Sequence, residues 1–385
     1  MKNLTFTLFF LSFFLSGNAQ DYGTLKTTHE GHILIENSNF QGFLSFDDTT
    51  TLYECSYLFF STVQYNGNGN DKDFLLARPL FHVASSNLIA DKAGSSKIAI
   101  LSYGRTYFSN IVSNANLNIC KYSHRDGSII PMLMPVSTTY QPDYDNIHLI
   151  DFPNGYWGIV GNYKNGDFSF PGMATPFVEN NGQFKNFIIK FNGTTNQVVW
   201  QQEFVASTNL KPYTDTNGNL YLFGKRASNT FVTLGGLTLG VDTSVNITDN
   251  FYLAKVNAQG VPLLLKNILK TDTPIEVEFH LQDSAYYIVS QVDGQVIFDS
   301  STVFNGNHSF IAKYNTNNDS LIWLRDAPIS IEHSVLDLQN NIYFIGNSSN
   351  INWALDSTHF YNEIKFFGKI NEIYKSVIMI PFENE

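Results

Sequence analysis

Four lysines set the terms for this chain. Lys190, Lys255, Lys313 and Lys369 each have an aromatic residue three positions before (Phe187, Tyr252, Phe310, Phe366). An apolar residue follows each (Phe191, Val256, Tyr314, Ile370), and asparagine stands two after (Asn192, Asn257, Asn315, Asn371). Ten residues past the lysine another apolar residue opens a new tract: Trp200, Leu265, Trp323, Met379. Upstream of each lysine an apolar tract ends in a small residue, as Trp157 to Gly161, Tyr221 to Gly224, Tyr287 to Ser290 and Tyr343 to Gly346. Each unit therefore reads as strand, lysine strand, Asn-led turn, strand. The lysines stand 65, 58 and 56 residues apart, a spacing in or just above the range of propellers and repeat arrays.

Within these units Leu220 to Phe223, Tyr286 to Val289 and Ile342 to Ile345 are continuously apolar. A strand with one wet face alternates, whereas one packed on both faces does not. Inner strands of propeller blades, sandwiched between neighbouring sheets, need the second pattern. Gly, Asn, Asp and Ser interrupt the apolar runs too often for helical faces. The fold expected is all-β, a single propeller of four-stranded antiparallel blades, with Tyr221, Phe223, Tyr343 and Ile345 mostly buried between blades.

Upstream tracts near residues 57, 98, 156, 219, 286 and 342 count six units, and a seventh has room in the degraded start. Clear repeats occupy about 95–380 and a degraded one 20–94. There Phe74 to Arg78 reads as a lysine-type strand with arginine substituted. Ile98 to Gly104 with Ile119 to Tyr122 is a better copy, with Lys121 in the lysine place. His32 to Ile35 is expected to close the ring by pairing with the last blade, because an open sheet edge invites aggregation.

Lys2, the apolar run Leu4 to Leu15 and the small-residue exit to Ala19 have the form of a secretory signal over residues 1–19. The remaining chain, 20–385, is the expected propeller domain, and no later stretch reaches ~18 unbroken apolar residues, so it is not expected to span a membrane by a helix. A net charge of −11 argues against a nucleic-acid partner, whose binders carry basic patches.

The pattern Asp-x-Asn-Gly-Asn-φ-Tyr-φ-φ-Gly, then Phe-φ-φ-Lys-φ-Asn, then Trp, resembles the β-propeller repeats of secreted proteins from Bacteroidetes-type bacteria, often called SBBP repeats. The resemblance covers roughly 95–380 and is strongest at Asp215 to Asn257 and Asp337 to Asn371. It implies a secreted propeller and no single activity. The type IX sorting domain found in many such proteins has no counterpart here, which leaves the periplasm open as a destination.

Candidate chemistry is sparse. His29-Glu30-Gly31-His32 is one residue short of a zinc-protease motif and opens a strand, where helical i, i+4 facing is unavailable. Asp215, Asn217 and Asn219 alternate oxygens as a calcium loop does but lack its later acid, so turn formation explains them better. Asn66, Asn68, Asn70, Asp71 and Asp73 make a richer oxygen cluster of the same kind. No metal and no cofactor is expected. No Gly-x-Ser-x-Gly elbow is present, whereas glycosidase carboxylates need no local motif. Cys55 and Cys120 are either a disulfide or two buried thiols.

Two features compete for a ligand. The lysine column forms a cationic ring if it faces a channel; otherwise its lysines pair with turn carboxylates such as Asp215 and Asp337. Irregular inserts carry Phe168, Phe170, Phe177 and Phe231, whose exposure would give contact area for a sugar or a protein. Lys190, Lys255, Lys313, Lys369, their asparagines, and Gly161, Gly224 and Gly346 read as the structural repeat. The function expected is non-catalytic binding of a protein or glycan outside the cytoplasm through those inserts, with a carbohydrate-active hydrolase or lyase as the alternative.

Overall fold

Each lysine tract is the third strand of an antiparallel meander, and the tract before it is the second. The computed structural model describes strands from Leu25 to Phe382, and side chains over residues 130–206, 210–242 and 247–346 with short breaks, together with 115–121, Lys97, Ala99 and Lys369. The chain is all-β, and among the described strands six sheets follow one another, each built on a four-stranded meander. The first is Leu25–Thr27, His32–Asn37, Leu58–Tyr65 and Lys72–Leu80; the second is Val83–Ala90, Ser95–Ser102, Leu117–Ser123 and Ile129–Leu133. The third is Asp143–Phe152, Tyr156–Lys164, Lys185–Asn192 and Val198–Phe204; the fourth is Leu210–Thr214, Leu220–Ala227, Asp249–Val256 and Pro262–Thr271. The fifth is Val277–Leu281, Ala285–Gln291, Ser309–Asn315 and Leu321–Ala327; the sixth is Ser330–Leu336, Ile342–Ser348, Ile364–Ile370 and Val377–Phe382. Up-and-down sheets repeated in this way are the blades of a β-propeller. By contact density the chain divides into two compact units, residues 1–151 with 157–199 and residues 152–156 with 200–385.

Strand register explains why the repeat has its residues. Tyr221, Tyr287 and Tyr343 lie directly opposite Lys255, Lys313 and Lys369, with each ammonium 4.8, 5.4 and 4.9 Å from its ring centroid. The small residue and the aromatic are likewise one feature: Gly224 faces Tyr252, Ser290 faces Phe310 and Gly346 faces Phe366. A Cβ at Gly224 would stand 2.5 Å from the Tyr252 ring, so a side chain there has no room. Asparagine sets the following turn. Asn192 Oδ1 accepts from Thr194 N and Thr195 N, and Asn257 Oδ1 from Gln259 N and Val261 N, the Asx device that favours this residue in turns.

Two-sided burial is plain in the fifth sheet. Tyr286, Ile288, Phe310, Ala312 and Tyr314 join the core shared with the fourth sheet. Ala285, Tyr287, Val289 and Ile311 join the core shared with the sixth. Tyr221 and Phe223 are buried, whereas Tyr343 and Ile345 are half-buried and the adjacent Ile342 and Phe344 take the core positions.

Two expectations for the start fail. His32–Asn37 does not close onto the last sheet; it pairs with Leu25–Thr27 and Leu58–Tyr65. The reason is that the first sheet has its own third strand, Leu58–Tyr65, in which Gln64 and Tyr65 stand where lysine and the apolar residue stand elsewhere, with His32 opposite Gln64. Phe74 to Arg78 accordingly lies in a fourth strand, Lys72–Leu80, and is not a lysine-type strand. Residues 1–19, the His29 to His32 side chains, the loop bearing Asn66 and Cys55 lie outside the described residues.

Candidate functional site

Every sheet carries a two-stranded hairpin between its second and third strands, and the described hairpins are spent on structure. In the third sheet Gly166–Phe168 pairs with Phe177–Glu179, and Ser169 exchanges both backbone hydrogen bonds with Val136, at 2.8 and 2.9 Å, beyond the end of the second sheet. In the fourth, Thr233 exchanges both with Val205 at the end of the third sheet's last strand. In the fifth the contact becomes a ladder, Leu269, Lys270 and Thr271 facing Phe298, Ile297 and Val296, which makes the fourth sheet six-stranded. Three times the tail of one sheet is clasped by the hairpin of the next.

The clasp accounts for the aromatics expected to be exposed. Phe168, Phe170 and Phe177 are buried. Phe168 packs edge-on against Tyr144, Tyr163 and Phe187 at 5.0–5.3 Å between ring centroids. Only Phe231 of the four, 54% exposed, stands at a surface. Buried Asp167 completes the grip, accepting from Ser137 Oγ at 2.9 Å, Thr138 N at 3.1 Å, Thr139 N at 2.9 Å and the Thr138 hydroxyl. These donors, the Thr138 hydroxyl foremost, outweigh burial and hold its carboxyl well below the usual carboxylate range. Glu179 is similar. Burial pushes it up, but the backbone N–H groups of Asn165, Asn181, Gln183 and Gly182 more than compensate, and its pKa is lowered.

The lysines are bound within the framework as well. Lys255 Nζ donates to Thr316 O at 3.0 Å and Lys266 Nζ to Asp319 O, both in the turn that ends the fifth sheet's lysine strand. Burial holds Lys190 and Lys313 below the usual lysine range. Asp215 spends its carboxylate on Asn217 N, Asn219 N, Asn219 Nδ2 and the Tyr221 hydroxyl, at 2.7–3.3 Å. The buried Cys120 thiol is pushed up to about 12 by desolvation, which leaves it a poor nucleophile.

A different polar group lies on the first strands of the fourth, fifth and sixth sheets. Lys211, Glu278 and His333 are paired with Phe223, Val289 and Ile345, each two residues past the tyrosine of its second strand, so they hold one place in the repeat. Glu278 Oε1 lies 3.2 Å from His333 Nδ1, and Glu278 Oε2 accepts from Ser334 N at 2.6 Å and from the Ser334 hydroxyl. His280 Nε2 is 2.7 Å from Ser334 Oγ and 3.9 Å from Glu278 Oε2. Lys211 Nζ donates to Val277 O at 3.3 Å. Side-chain exposure is 82% for His333, 30% for Glu278 and 18% for His280. Burial foremost lowers the His280 pKa, opposed by Glu278 and reinforced by Lys211. Burial and then Glu278 raise that of Tyr213. The sequence hid this seam, because its members come from three strands more than 50 residues apart and share no local motif. Their common register against the second strand was the available signal.

Serine, histidine and carboxylate here are not a hydrolytic triad. In a triad the acid holds one ring nitrogen and the serine approaches the other. Here Glu278 and Ser334 both approach His280 through Nε2, and the serine proton is directed to the carboxylate.

No family model matches the chain, and no curated protein matches it. Among solved structures it is similar to an ACO/RPE65 chimera, at 9% identity over 95% of this chain and 81% of that one with a TM-score of 0.43. It is similar to a GH43 β-1,3-galactosidase at 10% identity over 72% and 55%, TM-score 0.32. An extracellular domain of a putative hybrid two component system from B. thetaiotaomicron gives 9% over 95% and 80%, TM-score 0.16. None reaches a TM-score of 0.5, so fold and site rest on strand pairings and side-chain contacts alone. Among the described residues no helix is long and apolar enough to cross a membrane.

Proposed function

We propose that residues 1–19 export the chain and that the remainder is a six-bladed propeller that binds a protein or glycan outside the cytoplasm without catalysis. The observation that carries this reading is the first-strand seam: it presents charged and hydrogen-bonding groups to solvent, while its serine is wired away from nucleophilic use. The six successive sheets support the blade count. Phe231, exposed at the mouth of the Val232–Leu234 and Leu237–Leu239 hairpin beside exposed Val241, is a second contact point. A pull-down of the chain lacking residues 1–19 against envelope extract, run beside a glycan array, tests the reading. Specific retention of a protein or a glycan, with no turnover of the retained material, is the expected result. Turnover that is lost in Glu278→Gln would replace binding by carbohydrate hydrolysis or lysis.

A further inference from the structure

Proton bookkeeping at the seam goes further than its geometry. An ionised carboxylate only accepts, so the contact between Glu278 Oε1 and His333 Nδ1 at 3.2 Å requires the proton on Nδ1. The Ser334 hydroxyl donates to Glu278 Oε2 and has no second proton to give. His280 Nε2, 2.7 Å from Ser334 Oγ, must then be the donor. One carboxylate thus fixes two histidines in opposite tautomers. On neutral His333 the bare nitrogen is Nε2, on a side chain 82% exposed. A carboxylate behind an imidazole fixes its tautomer and the orientation of its ring.

We infer that His333 Nε2, oriented by Glu278, is the hydrogen-bond acceptor of a site for a hydroxyl-rich, uncharged ligand, a neutral glycan; this rests on the binding reading above. The seam's outward chemistry favours it. The exposed Lys211, whose Nζ donates to Val277 O, offsets the charge of Glu278, so the seam presents no net charge to an ionic ligand, and the bare imidazole nitrogen accepts from hydroxyl groups. A protein partner would instead be met by an apolar, aromatic interface centre, whereas the seam residues are Lys211, Glu278, His280, His333 and Ser334.

Two measurements on the full mature chain test the inference. Nitrogen-15 histidine spectra at pH 8 should show His333 protonated at Nδ1 and His280 at Nε2, and Glu278→Gln should release His333 to a mixture. The opposite tautomer at His333 overturns the inference whatever the ligand. On an array of neutral and acidic oligosaccharides, retention should fall on neutral members and drop at least tenfold in His333→Ala at an unchanged melting temperature. Retention of acidic members only, or full retention by His333→Ala, overturns it. Retention of no glycan beside specific capture of an envelope protein overturns the inference and spares the binding reading; retention of neither overturns both.

Discussion

Asp167 and Glu278 are the same device put to two uses. Each is a carboxylate that gathers donors from the chain segment belonging to a neighbouring sheet, Ser137 to Thr139 for Asp167 and His333 with Ser334 for Glu278. Asp167 is 5% exposed and its donors are backbone amides and small hydroxyls, which saturate it. Glu278 is 30% exposed on its side chain, and it meets the His333 imidazole directly and that of His280 through Ser334, each ring with a second nitrogen to turn elsewhere. Burial and the identity of the donors, not the carboxylate, separate a saturated clasp from a group still open to solvent. The insert hairpins bury Phe168, Phe170 and Phe177 and expose Phe231, whereas the first strands hold charged and polar groups in contact with solvent.

The largest effect that bears on this contrast is in the clasp. Phe168→Ala removes a fully buried ring and should cost about 3–5 kcal/mol, as should Phe223→Ala in the core shared by the fourth and fifth sheets. A soluble Phe168→Ala chain with the parent's thermal melt would return that hairpin to the surface. Asp167→Asn should cost about 1.5–3 kcal/mol, the range of hydrogen bonds to a charged group. Its pH signature is specific. Because the folded pKa lies below the unfolded value of ~3.9, the stabilisation is fully present above that value and is lost as pH falls through the folded one. Acid melts of parent and Asp167→Asn should therefore begin to draw together as pH falls below about 4 and continue to do so towards the folded pKa; parallel curves would refute the assignment.

Smaller effects are expected outside the clasp. The cation–π contact of Lys255 and its bond to Thr316 O predict a loss of about 1 kcal/mol in Lys255→Ala, measured by urea unfolding. A loss of ligand retention with no loss of stability would revive a cationic ring. At the seam, His280 faces Glu278 on its own strand, Lys211 on the preceding first strand, and Ser334 with His333 on the following one. Its folded pKa lies below the unfolded ~6.5, so its contribution is complete above that pH and declines as pH falls through the window beneath it. His280→Gln should flatten the melting temperature as pH falls below about 6.5, and an unchanged slope would count against the buried neutral ring. The smallest effect belongs to Phe231→Ala, whose melt should match the parent because the ring is half in water.

How much of this was readable beforehand depended on interval. The lysine, its aromatic at three before and its asparagine at two after lie on one strand and its turn, so spacing is fixed and the repeat shows. Tyr221 with Lys255 and Tyr287 with Lys313 are just as regular in space, but inserts of unequal length separate them, and their pairing emerges only with the sheet. The first strands share even less: Lys211, Glu278 and His333 occupy one register with three different side chains. Hairpin strands such as Gly166–Phe168 and Leu237–Leu239 are three residues long, too short for a period-two pattern to declare itself. Their aromatics therefore looked like loop residues free to meet a ligand. The first sheet misled for another reason, since Gln64 in the lysine place hid its third strand and shifted the count of strands by one.

Amide hydrogen exchange at the clasp tests the central claim most directly. Val136, Ser169, Val205 and Thr233 each donate a backbone hydrogen bond from a sheet tail to a hairpin, or back, at 2.8–3.2 Å. If hairpins bind sheet to sheet, these four amides exchange as slowly as those of the neighbouring strands, although Val136 and Val205 have exposed side chains. Exchange at the rate of free loops would show that the inserts are not framework, and would hand ligand recognition back to them.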